Sequence, residues 1–155
     1  MAIKITLFIT LVLYAAVISQ SLFYALAMTG ATKKMPAPVY IETRQLLTSE
    51  LQTSLGTLYY FTLAASVALT TFSVVNPGGL LFITSVVALM ALVADIVLAV
   101  KGNVPLNKAI DQWTTASYPS NWQQYRSKWF TLYHTRQVIN TIGFVTLVAG
   151  MIFGI

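Results

Sequence analysis

Four long apolar stretches alternate with two polar segments and one tight turn along this chain. The apolar stretches are residues 3–28, 54–75, 80–100 and 131–153. Each is close to the length of about 20 residues that a helix needs to cross a bilayer. The polar segments are residues 29–53 and 101–130, and the turn is Asn76-Pro77-Gly78-Gly79. The pattern predicts an all-α protein, an integral membrane four-helix bundle that forms a single four-span domain over residues 1–155.

Both polar segments contain amphipathic helical patterns. After Pro36, the sequence PVYIETRQLLTSELQ places Ile and Leu among charged residues, so it predicts a helix that leads into the second span. In the second segment, PLNKAIDQW predicts a short helix that ends before TTASYP. We expect these helical segments to lie at the membrane interface, or, in the case of the first helix, to project from it.

The last helix combines a polar start with an apolar end. Ser120 followed by Gln123 predicts a capping box, which would start the helix at Ser120. Spacings of three or four residues then place one stripe of polar and aromatic side chains on a single face. Its members are Trp122, Arg126, Trp129, Tyr133, Arg136, Gln137, Asn140 and Phe144. The helix continues into the uncharged TIGFVTLVAGMIFGI, so we expect it to begin among polar partners and end in lipid.

Composition and charge agree with a membrane protein and orient it. Hydrophobic residues make up 57% of the chain and charged residues 8%, whereas about a quarter of the residues in soluble domains are charged. Eight of the nine Lys and Arg residues lie in or beside the two polar segments, and only Lys4 lies at the opposite end. The positive-inside rule therefore predicts cytoplasmic segments 29–53 and 101–130, with both termini outside. Topology accounts for the net charge of +5, so the expected partner is the lipid bilayer and not a nucleic acid.

Polar side chains inside the apolar stretches lie at a similar depth. Tyr24, Tyr59, Asp95, His134 and Arg136 are each within a turn or two of the cytoplasmic end of a span, so they can surround one cavity. An ionisable group at membrane depth normally faces the bundle interior with a partner, so we expect Asp95 to pair with Arg136. Such a pair can also serve only to fix helix register, with the tyrosines as interfacial anchors.

Several of these residues form a pattern that resembles a known family. The sequence VPLNK at Val104–Lys108 precedes Trp122, Arg126, Trp129, His134 and Arg136 at the head of the last span, and LFYA at 22–25 and the region of Gln45 add to the pattern. The pattern resembles the anthrone-oxygenase-like family, which is a group of small four-span membrane proteins largely of unknown function. The resemblance implies an integral membrane four-helix bundle. In the characterised members it also implies cofactor-independent oxidation of an anthrone to an anthraquinone.

Oxidation of a phenolic carbon acid requires a base, a cation or donors for the resulting enolate, and an apolar pocket that admits oxygen. His134 is the only histidine and the candidate base, and Arg136 or Arg126 can stabilise the oxyanion. We therefore predict His134 and Arg136 as catalytic residues. The predicted substrate-binding residues are Arg126, Asn107, Tyr24, Tyr59 and Trp129. The alternative for a lone histidine near a membrane interface is a structural hydrogen bond.

A metal site is not expected from this composition. The chain has one His, no Cys and four carboxylates, and Glu42, Glu50 and Asp111 belong to the polar segments. These residues cannot build a closed zinc site or a carboxylate-bridged di-iron site. The expected reaction needs no cofactor, and haem bound through His134 as a single axial ligand is the alternative.

Three functions remain open at this point. The first is an enzyme that oxidises a small hydrophobic phenolic or quinone-like compound at the cytoplasmic membrane interface. The second is a non-catalytic accessory subunit that packs against other subunits of a larger membrane complex. The third is a lipid-binding or quinone-binding protein without turnover. A roomy, oxygen-accessible cavity bordered by His134 and Arg136 would favour the enzyme. A head filled by Trp122, Trp129 and Tyr133 would favour the accessory subunit, and a lipid-facing opening at the same level would favour the binding protein.

Overall fold

The computed structural model describes residues 1–154 and the side chains of these residues apart from Ser21. The described part is helical, with the α-helices α1 Ala2–Phe23, α2 Thr29–Lys34, α3 Ala37–Ser73, α4 Leu80–Leu98, α5 Val104–Ile110 and α6 Trp122–Phe153. Four continuous helical segments are long and apolar enough to cross a membrane, namely Ala2–Lys34, Ala37–Ser73, Leu80–Ile110 and Trp122–Phe153. The chain is therefore an integral multi-pass membrane protein, and the predicted all-α four-helix bundle is confirmed.

The four long helices pack as a ring. Helix α1 contacts α3 and α6, and helix α4 contacts the same two helices from the other side. Tyr14, Leu92 and Leu147 are fully buried in the centre. The Tyr14 hydroxyl donates a hydrogen bond to the Ala88 carbonyl at 3.1 Å and so links α1 to α4 across the bundle.

Two glycines bring α4 and α6 close together. A Cβ atom on Gly150 would overlap the Thr84 side chain, and a Cβ atom on Gly143 would overlap the side chains of Ala91 and Tyr14. Small residues are typical of helix interfaces in membranes, where packing replaces the hydrophobic driving force between helices. The absence of a side chain at Gly143 and Gly150 therefore allows α4 and α6 to pack closely against each other.

Helix α3 joins two elements that the sequence pattern separates. The predicted interfacial helix of segment 29–53 and the second span form one uninterrupted helix from Ala37 to Ser73. Its first turns fold against the short helix α5 and the start of α6, where Tyr40, Ile41 and Ile110 are almost fully buried. The polar segments thus form a packed end of the bundle, which we call the head.

Two widened, π-helical turns lie at the head. Residues Tyr24–Met28 connect α1 to α2, and residues Ala99–Asn103 connect α4 to α5. Each turn accommodates an extra residue, and such turns are frequent at functional sites. Tyr24 and Asn103 are the buried residues of these two turns.

Helix α6 begins later than predicted. Its first residue is Trp122, its N-cap residue is Asn121, and no side chain caps the helix. The predicted Ser120–Gln123 capping box is therefore wrong. The Trp122 amide donates instead to the Pro119 carbonyl at 3.1 Å, so a backbone turn starts the helix.

Candidate functional site

A cluster of aromatic rings occupies the centre of the head. Trp129 and Tyr133, one turn apart on α6, stack with ring centroids 4.8 Å apart and planes inclined by 14°. The Tyr24 ring lies 4.8 Å from Tyr133 and 5.9 Å from Trp129. Leu106 and Phe130 complete this buried cluster. The rings form a flat, stiff surface because offset and tilted aromatic contacts fill space without flexible side chains.

A cavity of about 500 Å³ lies beside the aromatic cluster. One wall is a single face of α3, formed by Arg44, Leu47, Thr48, Leu51, Gln52, Leu55, Gly56, Tyr59, Tyr60 and Leu63. With a rise of about 1.5 Å per residue, this wall is roughly 28 Å long. The other lining residues include Ile96, Val100, Val104 and the rings of Tyr24, Trp129 and Tyr133. The cavity is therefore elongated and mostly apolar, with polar groups concentrated towards the head.

Part of the rim of the cavity is exposed on the outside of the bundle. Tyr60 is 70% exposed and Val100 is 59% exposed, although both belong to apolar spans. An exposed side chain within a membrane-spanning helix contacts lipid tails or the interfacial region. The cavity is therefore open at the outer surface of the apolar spans.

Asp95 and Arg136 form an ion pair at the wall of the cavity. The Arg136 Nε atom donates to Asp95 Oδ1 at 2.5 Å, and Nη2 lies 3.5 Å from Asp95 Oδ2. The Asp95 side chain is fully buried and that of Arg136 is 13% exposed. Arg136 also donates to Asn103 Oδ1 at 3.2 Å and to the Tyr59 hydroxyl at 3.3 Å. The two residues that the sequence analysis pairs are thus in direct contact and tie α3, α4 and α6 together.

A second arginine, Arg44, reaches the other end of the polar wall. Its guanidinium carbon lies 4.1 Å from the centroid of the Trp129 ring, in a cation–π contact. Its Nη2 atom donates to Asn107 Oδ1 at 3.1 Å, and its Nη1 atom lies 3.4 Å from the Tyr24 hydroxyl. The Trp129 indole N–H donates to the same Asn107 oxygen at 2.9 Å. Asn107 therefore holds the indole and the guanidinium in a fixed relative position.

Asn103 completes a continuous polar wall between the two arginines. Its Oδ1 atom accepts from Arg136, and its Nδ2 atom donates to the Trp129 carbonyl at 3.1 Å. The hydrogen bonds therefore run from Asp95 through Arg136, Asn103 and Trp129 to Asn107 and Arg44. A wall of this kind presents two cations to one cavity at fixed positions.

The cavity brings together most of the predicted site residues. Tyr24, Tyr59, Asn107, Trp129 and Arg136 all line it. Arg126, also predicted to bind substrate, is not part of its wall. The Arg126 side chain instead donates to the carbonyls of Thr32 and Met35 at 3.1 and 3.2 Å and packs over the Trp122 ring. These contacts anchor the loop after α2, which is a structural role.

His134, the predicted base, also lies outside the cavity wall. It is half-buried, its Nδ1 atom is 3.2 Å from Gln137 Oε1, and its ring lies 6.1 Å from that of Phe130. Trp129, Tyr133 and Arg136 line the cavity from the same helix. Successive side chains of a helix point about 100° apart, and Tyr133 faces the cavity. The His134 side chain, one residue later, therefore points away from the cavity.

Arg44 and Asn103 were not among the predicted site residues. A signal for Arg44 exists, because Tyr40, Arg44, Leu47 and Leu51 are three or four positions apart and Arg44 thus lies within an apolar stripe. A charged residue within an apolar stripe faces the protein interior. Asn103 carries no comparable signal, because its burial depends on the π-helical turn that precedes α5.

The arrangement can hold a flat, largely apolar molecule with a polar end against the arginine wall. Among residues 1–154, no group of three or more His, Asp or Glu side chains is placed to share a metal ion. His134 would be the only imidazole for an axial haem bond. No family model, no curated protein and no solved structure matches this chain.

Proposed function

We propose that this membrane protein binds a small, flat hydrophobic molecule of the phenolic or quinone-like type in the head cavity. The observation that carries the proposal is a cavity of about 500 Å³ that combines a leucine-rich wall, stacked aromatic rings and two guanidinium groups. Ligand pockets of about 300–1,000 Å³ with mostly apolar walls and a few fixed polar groups are typical of small-molecule sites. The exposed part of the rim supports entry from the bilayer. Because the basic residues concentrate at the head, we place it on the cytoplasmic side.

A leucine at position 56 is expected to block the cavity. Gly56 lines the cavity wall, and a Cβ atom there would meet nothing within 4 Å, so Gly56→Leu adds apolar volume to the cavity and not to a packed interface. We expect the affinity for 1,8-dihydroxyanthraquinone to fall about tenfold or more, because a filled site no longer buries the ligand. Quenching of tryptophan fluorescence in nanodiscs of zwitterionic lipid measures the affinity, with protein-free nanodiscs as the blank.

Gly30→Leu is the matched control. Gly30 also has open space around its Cβ position, but it lies on α2 and does not line the cavity. We expect its affinity to stay within about twofold of that of the unchanged protein. Equal binding by the Gly56→Leu and Gly30→Leu variants would place the ligand elsewhere. If the unchanged protein binds neither the anthraquinone nor the corresponding anthrone, the accessory-subunit interpretation becomes the better one.

Oxidation of the bound molecule is a second candidate function, favoured by the two arginines on one cavity wall. Water takes a proton from the methylene carbon of an anthrone, and a guanidinium stabilises the enolate that this loss leaves. The enolate reacts with one O₂, the methylene carbon loses two hydrogens and gains one oxygen, and the products are one anthraquinone and one water. The resemblance to the anthrone-oxygenase-like family supports this candidate. The reaction uses Arg44 and Arg136 and assigns no step to His134, because that side chain lies outside the cavity wall.

Removal of the histidine therefore tests where the chemistry takes place. We expect His134→Ala to change the rate of oxygen consumption with 1,8-dihydroxyanthrone by less than about twofold, because its contacts are with Gln137 and Phe130. An oxygen electrode measures the rate, and the spontaneous rate in protein-free nanodiscs is subtracted. A loss of about a hundredfold or more in a folded His134→Ala variant would make His134 the base and would contradict this placement of the reaction.

A further inference from the structure

The two arginines of the cavity differ in their partners. Arg136 is neutralised by Asp95, and these two residues form the one side-chain ion pair found within residues 1–154. Arg44 is only 7% exposed, yet its hydrogen-bond acceptors are neutral, the Asn107 amide oxygen and the Tyr24 hydroxyl. A buried charge without an opposite charge is costly, and such groups normally acquire one.

The side chains of Arg44 and its neighbour Thr48 each contain a polar atom without a hydrogen-bond partner. The Nε atom of Arg44 and the Oγ1 atom of Thr48, one turn further along α3, are inaccessible to solvent and have no hydrogen-bond partner in the described part of the chain. Both residues line the cavity. A guanidinium pairs strongly with a carboxylate, and the unpaired Nε–H leaves the hydrogen-bonding capacity of Arg44 incompletely used. The Trp129 ring beneath the guanidinium keeps it from turning towards solvent.

We propose that Arg44 is the counter-ion for an acidic group on the ligand, a carboxylate or an ionised phenol. This inference rests on the proposed binding function and adds the charge of the ligand to it. The ligand is an amphiphile with a flat or elongated apolar body and one negative charge. Lys108 and Asp111 also line the cavity, but both are exposed at the head, where solvent screens their charges.

A pair of ligands that differ in charge tests the inference without any mutation. Anthraquinone-2-carboxylate and anthraquinone-2-carboxamide have nearly the same shape, and both are titrated against the unchanged protein in nanodiscs of zwitterionic lipid. We expect the carboxylate to bind about tenfold more tightly or better, because only the anion makes a charge-assisted pair with Arg44. Equal affinities would overturn the inference while leaving the proposed binding function intact. No binding of either compound would overturn both.

Substitution of Arg44 locates the effect. Arg44→Gln is expected to remove the preference for the carboxylate, so that the carboxylate and the carboxamide bind to this variant with affinities within about twofold of each other. Lys108→Gln, the matched loss of one exposed positive charge on the same cavity, is expected to leave the preference within about twofold of its original value. If Lys108→Gln and not Arg44→Gln removes the preference, the counter-ion is wrongly assigned.

Competition distinguishes the two sources of such an anion, a fatty acid from the bilayer and a small aromatic acid. Displacement of the bound carboxylate by oleate but not by oleamide supports an anion site that accepts lipid acids. Failure of oleate to displace it supports an anion site selective for aromatic acids. Equal displacement by oleate and oleamide would show that charge does not matter at the site and would overturn the inference.

Discussion

Arg136→Gln is expected to lower the free energy of unfolding by about 3 to 5 kcal/mol, because it leaves Asp95 buried and charged without its partner. The Asp95 side chain is fully buried, and Arg136 supplies its ion pair. The change also removes the donors to Asn103 and Tyr59, and so it loosens three helices at once. Reversible unfolding by SDS in mixed micelles measures the difference.

The double variant Asp95→Asn, Arg136→Gln provides the decisive comparison. Replacement of both charges by amides of similar shape leaves no uncompensated charge, so the double variant should be more stable than Arg136→Gln alone. Lys128→Gln removes an exposed cation from the same helix and is expected to change the stability by less than about 0.5 kcal/mol. If the double variant is no more stable than either single variant, the pair does not stabilise the bundle as its geometry implies.

The stability of this pair and the ligand role of Arg44 follow from the same rule. Each arginine is removed from bulk water, and each therefore needs a negative charge. Asp95 supplies that charge for Arg136 within the protein, whereas Arg44 has only neutral acceptors. Arg136 can thus stabilise the helix packing in the absence of ligand, whereas Arg44 acquires its negative partner from the bound ligand.

The membrane spans and the ion pair were predictable because each follows from what lipid demands of a backbone or a charge, whatever the details of packing. An apolar stretch long enough to cross the bilayer must be a helix, since its backbone groups have no other partners in lipid. Asp95 interrupts such a stretch, and a charge at that depth needs a partner at the same depth, which Arg136 provides. The similar depth of Tyr24 and Tyr59 likewise follows from counting residues along each span.

The average hydropathy of segment 29–53 does not predict the position of Arg44, because that position depends on how the segment folds, although the apolar stripe around Arg44 indicates a buried face. That segment is polar on average, and an interfacial helix would point Arg44 at headgroups. In the structure the segment continues the second span as a single helix and packs on the head. This packing turns the stripe that contains Arg44 and Leu47 towards the cavity. The depth of a residue follows from the sequence, but the rotation of its helix follows from packing.

His134 illustrates the same limit on the last helix. Its depth places it level with Arg136, but it lies one residue after Tyr133, which faces the cavity. One residue along a helix turns a side chain by about 100°, so a histidine at the right depth points away from the cavity. The one histidine of the chain therefore lies beside the cavity and not in its wall.

Trp129→Ala is expected to lower the free energy of unfolding by about 3 to 5 kcal/mol, the usual effect of deleting a buried aromatic side chain. Trp129 is 4% exposed and contacts Tyr24, Tyr133 and Arg44. Its loss opens the aromatic cluster and frees the guanidinium to turn away from the cavity. Unfolding in mixed micelles measures the stability, and titration with anthraquinone-2-carboxylate measures the consequence for binding, which we expect to weaken.

Two further tryptophan variants separate packing from hydrogen bonding. Trp129→Phe keeps an aromatic ring in the stack and loses the indole N–H that donates to Asn107, so we expect a cost of about 1 kcal/mol from the hydrogen bond in addition to the smaller ring. Trp113→Ala removes a half-buried indole from the same head and should cost less than half as much as Trp129→Ala. Equal costs for Trp113→Ala and Trp129→Ala would contradict a head centred on Trp129. In that case the fixed position of Arg44 over the indole would lose its structural basis.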